Sequence, residues 1–384
     1  MHTSIFRISL LVVSCVFLGT GLHAQIVVPV NNLPSVGVSL SGSSGASATE
    51  IVSNDLKRTG MIAPTSGGSG EYVATGEASD SGITGTLVEK STGTTKFSQT
   101  FAGTHRLAAH EFADAITKAV TGKPGFAASK LAFIANATGS KELYLSDIDG
   151  FGAHPLTHDG TISASPALNQ DASKLAYTSY KSGYPDVYLI DLRSGDRNRI
   201  AYFPGINSGP SFSPDGSLLA LTLSKDGNPE IYTMSLSGGS LTRITRTRGS
   251  ETTPSWSPTG DQLVYSSDDR GSPQLFVSSS SSVTEPDRLV TGNSYCTKPD
   301  WSPDGKLIAF TTRLGGQFQI GVYNLANRSA NLITTGGGQD PAWTCDSRHL
   351  VYANEGHLYL LDTVSHQSLP IAGPSGSGEP AVNR

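Results

Sequence analysis

The chain has 384 residues, which is enough for two or three domains with a sizeable core. Only 15% of its residues are charged, the formal net charge is −5, and 43 residues are glycine. This composition is typical of a β-rich protein with many tight turns. Lysine and arginine do not cluster along the sequence, so nucleic acid is not an expected partner.

The first 24 residues have the pattern of a secretory signal. Arg7 supplies a positive start, residues 8–22 are mostly apolar, and Leu-His-Ala precedes Gln25 as a cleavage site. A membrane anchor is the alternative, but the apolar run is interrupted and falls short of the roughly 20 residues that span a bilayer. Cys15, in Val-Val-Ser-Cys, is a rival site where the chain would be lipidated. We expect residues 1–24 to be removed and the mature chain to be exported without inserting into the membrane.

The next segments predict a tail and a small domain. Residues 25–35 (QIVVPVNNLPS) contain two prolines and form an extended N-terminal tail. Residues 36–122 predict a small α/β domain in the order β-α-β-β-β-α: VGVSL, ASATEIVSNDLKRTG, EYVATGEAS, GITGTLVEK, KFSQTFAG and HRLAAHEFADAITKAVTG. On the second helix, His110 and Asp114 have the spacing of a solvated pair one turn apart.

From residue 123 the chain repeats one phrase six times. The quartets KLAF, KLAY, LLAL, QLVY, LIAF and HLVY recur every 42 to 45 residues. Each copy contains short strands, named A to D here, and no helical period, which favours a β-propeller over a helical solenoid. SPDG-type turns join strands A and B, because proline presets φ and glycine accepts positive φ. The predicted fold is an α+β N-terminal domain followed by an all-β six-bladed β-propeller, residues 123–384.

The first repeat begins at strand B and lacks a strand A. The last residues, GEPAVNR, match the strand A phrase GPSFS, so residues 379–382 should supply the missing strand and close the ring. In the other copies strand A carries a large apolar residue that should pack between blades: Leu168, Phe212, Trp256, Trp301 and Trp343.

Two cysteines remain after the signal, Cys296 and Cys345. They lie seven register positions apart in adjacent repeats, roughly 20 Å along a strand. A disulfide needs Cα atoms within about 7 Å of each other. Two unpaired thiols are therefore predicted.

Patterns of catalytic and metal-binding families are missing from the sequence. It contains no G-x-S-x-G, HExxH, CxxC or EF-hand pattern. His154 and His158 are four residues apart, but near a strand and a turn this spacing does not converge on one metal. A glycosidase-type centre would need carboxylates in the channel, and strand A supplies only a few acids for it: Asp300, Asp340 and Glu379. We expect no catalytic residues, no metal and no cofactor.

The order of these motifs resembles the TolB family of the Tol–Pal cell-envelope system. DLKRTG, YVATG, AVTGKPG and FPGINSGPSFSPDGSLLALTLSKDGNPEIY carry the resemblance, which covers nearly all of the mature chain. It implies a monomeric, non-catalytic periplasmic scaffold that maintains outer-membrane integrity and supports cell division. The implied partners are a peptidoglycan-associated lipoprotein, Pal, at one mouth of the propeller and the inner-membrane protein TolA at the tail. The tail positions are Gln25, Ile26, Val27 and Val28.

Strand directions indicate which loops would form the Pal-binding mouth. If strand A starts at that mouth, the D–A and B–C loops share it and the A–B and C–D turns lie opposite. The resemblance places Pal-contacting positions in D–A loops at Ile206, Asn207, Gly209 and Thr252. Neighbouring candidates on the same mouth are Ser163, Asn293, Tyr295 and Gln339.

Two other classes of function stay open from the residues alone. One is a propeller that binds a saccharide or peptide without any connection to Pal. The other is a hydrolase or lyase acting in the propeller channel, which would need a convergent acid–base set. A glycan reader should bind sugar without a protein partner, and this separates it from a scaffold.

Overall fold

The computed structural model describes residues 33–238 and 240–383. The signal segment, Cys15 and the tail positions 25–28 lie outside the described residues. Among the described residues, no helix is long and apolar enough to cross a bilayer. An N-terminal α/β region is followed by six four-stranded sheets, which confirms the predicted fold class.

The N-terminal region is a five-stranded sheet with two helices packed against it. The sheet order is β2-β1-β3-β4-β5, and β1 runs parallel to both β2 and β3. The sequence pattern does not predict β2, because APTS contains a proline and shows no alternation. The elements are β1 (Ser35–Ser41), α1 (Gly45–Arg58), β2 (Ala63–Ser66), β3 (Tyr72–Ser79), β4 (Gly82–Glu89), β5 (Thr94–Ala102) and α2 (His105–Thr121).

Helix α2 has well-defined ends and a tightly packed inner face. The side chain of Thr104 accepts a hydrogen bond from the Leu107 N–H at 3.3 Å, and Gly122 ends the helix in the left-handed region at φ +72°. Phe112, on the inner face, is fully buried against the sheet. It lies so close to strand β4 that a Cβ added to Gly85 would be 2.6 Å from Phe112 Cε2. Glycine at this position is what lets the helix approach the sheet.

The rest of the chain is a ring of six antiparallel blades. The C-terminal strand β29 pairs with β6, so the first blade has the order β29-β6-β7-β8 and draws on both ends of the propeller sequence. The strands of blade 1 are β6 (Lys130–Ala135), β7 (Glu142–Asp147), β8 (His154–Pro155) and β29 (Gly378–Val382). Blade 2 contains β9 (Ser163–Leu168), β10 (Lys174–Ser179), β11 (Asp186–Asp191) and β12 (Arg197–Ala201). Blade 3 contains β13 (Asn207–Phe212), β14 (Leu218–Leu223), β15 (Glu230–Ser235) and β16 (Leu241–Arg243).

The remaining three blades follow the same A-B-C-D order. Blade 4 contains β17 (Glu251–Trp256), β18 (Gln262–Ser267), β19 (Gln274–Ser279) and β20 (Asp287–Arg288). Blade 5 contains β21 (Cys296–Trp301), β22 (Leu307–Leu314), β23 (Gln317–Asn324) and β24 (Ser329–Leu332). Blade 6 contains β25 (Gln339–Trp343), β26 (His349–Asn354), β27 (His357–Asp362) and β28 (Ser368–Ile371).

The strand A aromatic residues pack between blades, as predicted. Trp343 is fully buried in a cluster that joins blade 5 to blade 6. Its indole N–H donates to the Asp300 carbonyl of the preceding blade at 3.0 Å, and Trp256 donates likewise to the Ser211 carbonyl at 3.0 Å. Each indole therefore fixes the offset between two blades as well as filling the space between them.

An ion-pair network joins helix α2 to the first blade. Arg106 Nε lies 2.8 Å from Asp147 Oδ2, and its Nη2 lies 2.5 Å from Asp149 Oδ2. His110 is only 2% exposed, with Nδ1 2.6 Å from Asp55 Oδ2. Burial opposes the imidazolium, but the hydrogen bond to Asp55 and the nearby carboxylate of Asp147, 3.8 Å from Nε2, outweigh it and raise the pKa of His110 to about 9. The network is therefore charged on both sides and holds the two regions together.

The prediction of a solvated His110–Asp114 pair is wrong. Asp114 instead accepts hydrogen bonds from the N–H groups of Ala127 and Ala128, at 2.7 and 2.9 Å. Burial outweighs these bonds and raises its pKa to about 7. The helix face that carries both residues docks against the propeller, and sequence spacing alone does not reveal that contact.

The N-terminal region sits on the face that carries the A–B and C–D turns. Asp149 belongs to the C–D turn of blade 1, and Arg348, from the A–B turn of blade 6, donates to the Gly60 carbonyl at 3.5 Å. The thiol of Cys345, next to that turn, donates to the Gly125 carbonyl at 2.9 Å. Cys345 and Cys296 are both free, which confirms the prediction of unpaired thiols. The mouth formed by the D–A and B–C loops therefore lies on the opposite face.

Candidate functional site

All six innermost strands bend at the residue that precedes a proline. At this position the ladder with strand B shifts register, as between Thr252 and Ser255. The bent residues have left-handed φ values: Ser165 (49°), Gly209 (59°), Thr253 (55°), Lys298 (51°), Asp340 (55°) and Glu379 (49°). Left-handed backbone costs an L-residue on the order of 1 kcal/mol, and such strain concentrates at functional sites. These six residues form a ring around the channel, whose volume is ≈370 Å3.

The channel wall carries charge on one side only. Lys298 Nζ lies 3.4 Å from Glu379 Oε2 and 3.9 Å from Asp340 Oδ1, while Ser165, Gly209 and Thr253 form the uncharged side. Burial raises the pKa of Asp340. Burial also opposes ionisation of Glu379, but Lys298 and the Ser165 N–H, 2.8 Å away, outweigh it and lower that pKa. The two carboxyl groups in the channel thus differ in acidity because burial prevails at Asp340, whereas the neighbouring donors prevail at Glu379.

The remaining acid singled out in the sequence, Asp300, has a structural position. Its Oδ2 accepts a hydrogen bond from the backbone N–H of Trp343 at 2.7 Å, and its Oδ1 accepts one from the Ser255 hydroxyl at 3.1 Å. These bonds tie three consecutive blades together. Of the acids singled out in the sequence, the structure therefore brings Asp340 and Glu379 into the channel and uses Asp300 to hold the ring.

Among the predicted mouth residues, Ile206 and Asn207 have different surroundings. Ile206 is 40% exposed, whereas Asn207 is fully buried. The Asn207 amide donates to the Phe203 carbonyl at 2.8 Å and its oxygen accepts the Phe203 N–H at 2.8 Å. Asn207 is thus placed to fix the shape of loop 203–206, with Ile206 at the loop's surface.

The other predicted positions are also split between surface and interior. Gln339 is exposed, Thr252 is half-buried, and Ser163 is fully buried at the start of strand β9. Gly209 belongs to the channel ring and its N–H donates to the Thr178 hydroxyl at 3.1 Å. Asn293 and Tyr295 lie in one half-buried loop, and the Tyr295 ring is 6.2 Å from that of Phe318.

Several exposed aromatic and aliphatic residues on the same mouth were not among the predicted positions. Tyr184, in a B–C loop, is 74% exposed and Tyr202, in a D–A loop, is 62% exposed. Leu314 and Phe318 flank the long β22–β23 hairpin and are 57% and 40% exposed. The sequence could have indicated these positions, because large apolar residues are unusual in B–C and D–A loops, which normally hold small and polar residues. Together these side chains make the mouth rim partly apolar.

A pair of buried carboxyl groups supports one of the mouth loops. Glu230 and Glu251 are both fully buried. Glu251 accepts the hydroxyls of Thr247 (2.8 Å) and Ser267 (2.5 Å), whereas Glu230 Oε1 accepts Arg243 Nη2 at 2.7 Å. Burial and the neighbouring Glu230 raise the pKa of Glu251 to about 7, against the two hydroxyl bonds. The loop before Thr252 therefore rests on a carboxyl group that titrates near neutral pH.

Comparisons with known proteins agree with this architecture. The family described as TolB beta propeller domain matches residues 117–380. The chain belongs to the TolB β-propeller family. Its fold is similar to the crystal structure of TolB from Acinetobacter baumannii, with a TM-score of 0.80 and 27% identity over 92% of this chain and 97% of that one.

Curated TolB proteins match shorter stretches. The TolB homolog of Chlorobium chlorochromatii is 36% identical over 109 residues, which is 27% of this chain and 25% of that protein. The Tol-Pal system protein TolB of Syntrophotalea carbinolica is 49% identical over 61 residues, or 16% of this chain and 14% of that protein. The matched regions thus span a quarter or less of the length of these two curated relatives. The curated relatives that this chain matches are thus a TolB homolog and a Tol-Pal system TolB protein.

Proposed function

We propose that this TolB-family chain is a non-catalytic periplasmic scaffold of the Tol–Pal system. It binds a Pal-like lipoprotein at the mouth formed by the D–A and B–C loops, and a TolA-like inner-membrane protein through tail residues 25–28. In this way it maintains outer-membrane integrity and supports cell division. The observation that carries the proposal is the docking of the N-terminal region on the opposite face, where Arg106 binds Asp147 and Asp149. Among the described residues, that region leaves the mouth uncovered.

The chemistry of the mouth fits a protein partner. Ile206, Tyr184 and Tyr202 are all at least 40% exposed, and aromatic and apolar side chains on a rigid loop are typical anchors at interfaces. Asn207 holds loop 203–206 in one shape, which lowers the entropy lost when a partner binds. A rim of this kind supports recognition of another folded protein.

A capture experiment with a matched pair of variants tests the proposal. Ile206→Glu places a charge on the mouth, whereas Val364→Glu makes the same change at a 51% exposed position in a C–D turn of the other face. From a detergent-treated envelope extract, the native chain and Val364→Glu should recover a peptidoglycan-bound lipoprotein, and Ile206→Glu should lose it. Recovery of that lipoprotein by all three chains, or by none, would overturn the assignment of the mouth.

A second candidate function is binding or cleavage of a small ligand in the channel. It is favoured by one observation: Asp340 and Glu379 have pKa values shifted in opposite directions beside Lys298. Two neighbouring carboxyl groups with different pKa values can act as the acid and the base of a catalytic pair. Retention of the native chain on a glycan or peptide resin, lost in Glu379→Gln, would support this candidate over the scaffold.

A further inference from the structure

A second cavity lies beside blade 4, and none of its lining residues lines the channel. It is bounded by loop 245–248, which leads from blade 3 to blade 4, and by loop 283–286, which joins strands C and D of blade 4. Its volume is ≈570 Å3, larger than that of the channel. The side chains of Arg246, Arg248 and Arg270 line it. We call this cavity the flank groove.

The three arginines of the flank groove are exposed and form no ion pair with any described residue. Arg243, only a few residues earlier, shows the contrast, because its Nη2 lies 2.7 Å from Glu230 Oε1. Arg270 makes one aromatic contact, with its guanidinium 5.7 Å from the centre of the Phe276 ring. A guanidinium group presents a planar fork of donors that matches a carboxylate. The flank groove therefore presents three guanidinium groups that form no ion pair with a carboxylate among the described residues.

The backbone that carries two of these arginines is held in place by hydrogen bonds. Asp269 Oδ1 accepts the N–H groups of Arg248 and Gly249, at 3.1 and 3.2 Å. Asp268 Oδ1 accepts the Ser250 N–H at 2.7 Å, and Glu230 Oε1 accepts the Thr247 N–H at 3.0 Å. A loop that is already fixed loses little entropy when it binds a ligand. The loop is thus organised before any ligand arrives.

The floor of the flank groove is aromatic. Tyr265 and Phe276 are stacked with ring centres 6.3 Å apart and an angle of 18° between their planes. Both residues line the cavity, although they are at most 3% exposed. Such a floor gives the groove an apolar base beneath its charged rim.

The charge of the lining favours carboxylates over phosphate. The three arginines are accompanied by two carboxylates, Asp269 and Glu285, so the charged lining has a surplus of one positive charge in a chain whose net charge is −5. A surplus of this size suits single negative charges spaced along a chain better than a dense dianion. The apolar floor likewise suits a ligand with uncharged segments between its charges.

We propose that the flank groove binds an acidic peptide segment, with its carboxylates on Arg246, Arg248 and Arg270 and its backbone over the aromatic floor. Loop 245–248 also leads directly to Thr252 at the mouth. A partner held at the mouth can therefore extend an acidic segment into the flank groove. The identity of that partner rests on the proposed function, whereas the chemistry of the groove does not.

The test uses a defined peptide and the purified chain. Fluorescence anisotropy measures binding of a labelled peptide of alternating glutamate and glycine, with a glutamine–glycine peptide of equal length beside it. The groove variant is Arg246→Gln/Arg248→Gln/Arg270→Gln, and the control variant, Lys118→Gln/Lys123→Gln/Arg193→Gln, removes the same charge from exposed positions elsewhere. Arg270→Gln alone, outside the braced loop, serves as a second variant whose fold should be unaffected.

We expect the acidic peptide to bind the native chain and the control variant equally, and the groove variant about tenfold more weakly or worse. Equal binding to all variants would overturn the proposal, as would equal affinity for the glutamine peptide. Displacement by inorganic phosphate at concentrations comparable to the peptide would also overturn it, by reassigning the groove to phosphate. Ile206→Glu should bind the acidic peptide normally, so failure at the mouth and failure at the flank groove give different results.

Discussion

Substitution of Glu251 by glutamine should change how stability depends on pH. Glu251 is fully buried beside Glu230, and its pKa is raised from an ordinary 4.5 to about 7. A group with a raised folded-state pKa makes the folded state bind more protons than the unfolded state between about pH 4.5 and 7. The free energy of unfolding therefore falls as pH rises through this window. The shift corresponds to a loss of roughly 3 kcal/mol once Glu251 is fully ionised.

Glutamine removes this titration while keeping the shape of the side chain. Its oxygen can still accept the Ser267 hydroxyl, and its amide N–H can donate to Glu230 Oε2, which has no donor among the described residues. The variant should therefore gain stability relative to the native chain as pH rises. We expect the difference in free energy of unfolding to grow by roughly 3 kcal/mol between about pH 4.5 and about pH 8.

Urea denaturation followed by tryptophan fluorescence, repeated across this pH range, measures the difference. Titrating groups other than the neighbouring Glu230 are shared by both chains and cancel when the two curves are subtracted. Glu50→Gln, at an exposed position on α1, is the control and should give a curve parallel to that of the native chain. Parallel curves for Glu251→Gln and the native chain would refute the idea that this carboxyl group is protonated near neutral pH.

Three further predictions concern the fold that supports the mouth. Asp147→Asn removes the negative charge that joins α2 to blade 1 and should lower the free energy of unfolding by about 3 kcal/mol, seen as a lower melting temperature and faster proteolysis between the two regions. Unchanged proteolysis would contradict the role of this contact. Gly85→Ala should destabilise by about 1–3 kcal/mol, because its Cβ would meet the Phe112 ring, whereas Gly68→Ala, with nothing within 4 Å, should leave the melting temperature unchanged. Burial raises the pKa of Cys345 to about 12, so a thiol reagent at neutral pH should label it only after denaturation, and rapid labelling of the folded chain would contradict this.

Much of the architecture could be predicted because its signals are local and repeated. An SPDG turn needs only the conformational limits of proline and glycine, and strand B needs only its apolar run. Repetition of these signals at nearly constant spacing identifies blades, since one blade cannot bury its own faces. The strand A tryptophans could be assigned to blade packing for the same reason, and Trp343 and Trp256 occupy those positions.

The candidate site was less predictable because burial within a loop depends on distant strands. Ile206 and Asn207 are adjacent in sequence, yet one is exposed and the other is enclosed by the carbonyl groups of its own loop and of Pro185. His110 likewise has the spacing of a surface residue on its helix. Its burial follows from the docking of α2 against Asp147 in another domain.

The sequence by itself determined the repeat, the four-strand pattern and the free cysteines, because each depends on the order and spacing of residues along the chain. Tertiary structure alone decided which charges meet. Lys298, Asp340 and Glu379 come from three blades and converge only because the ring closes. Arg270 joins Arg246 and Arg248 only because a loop from blade 3 folds beside blade 4. Such contacts depend on the curvature of the ring, and no local pattern in the sequence specifies that curvature.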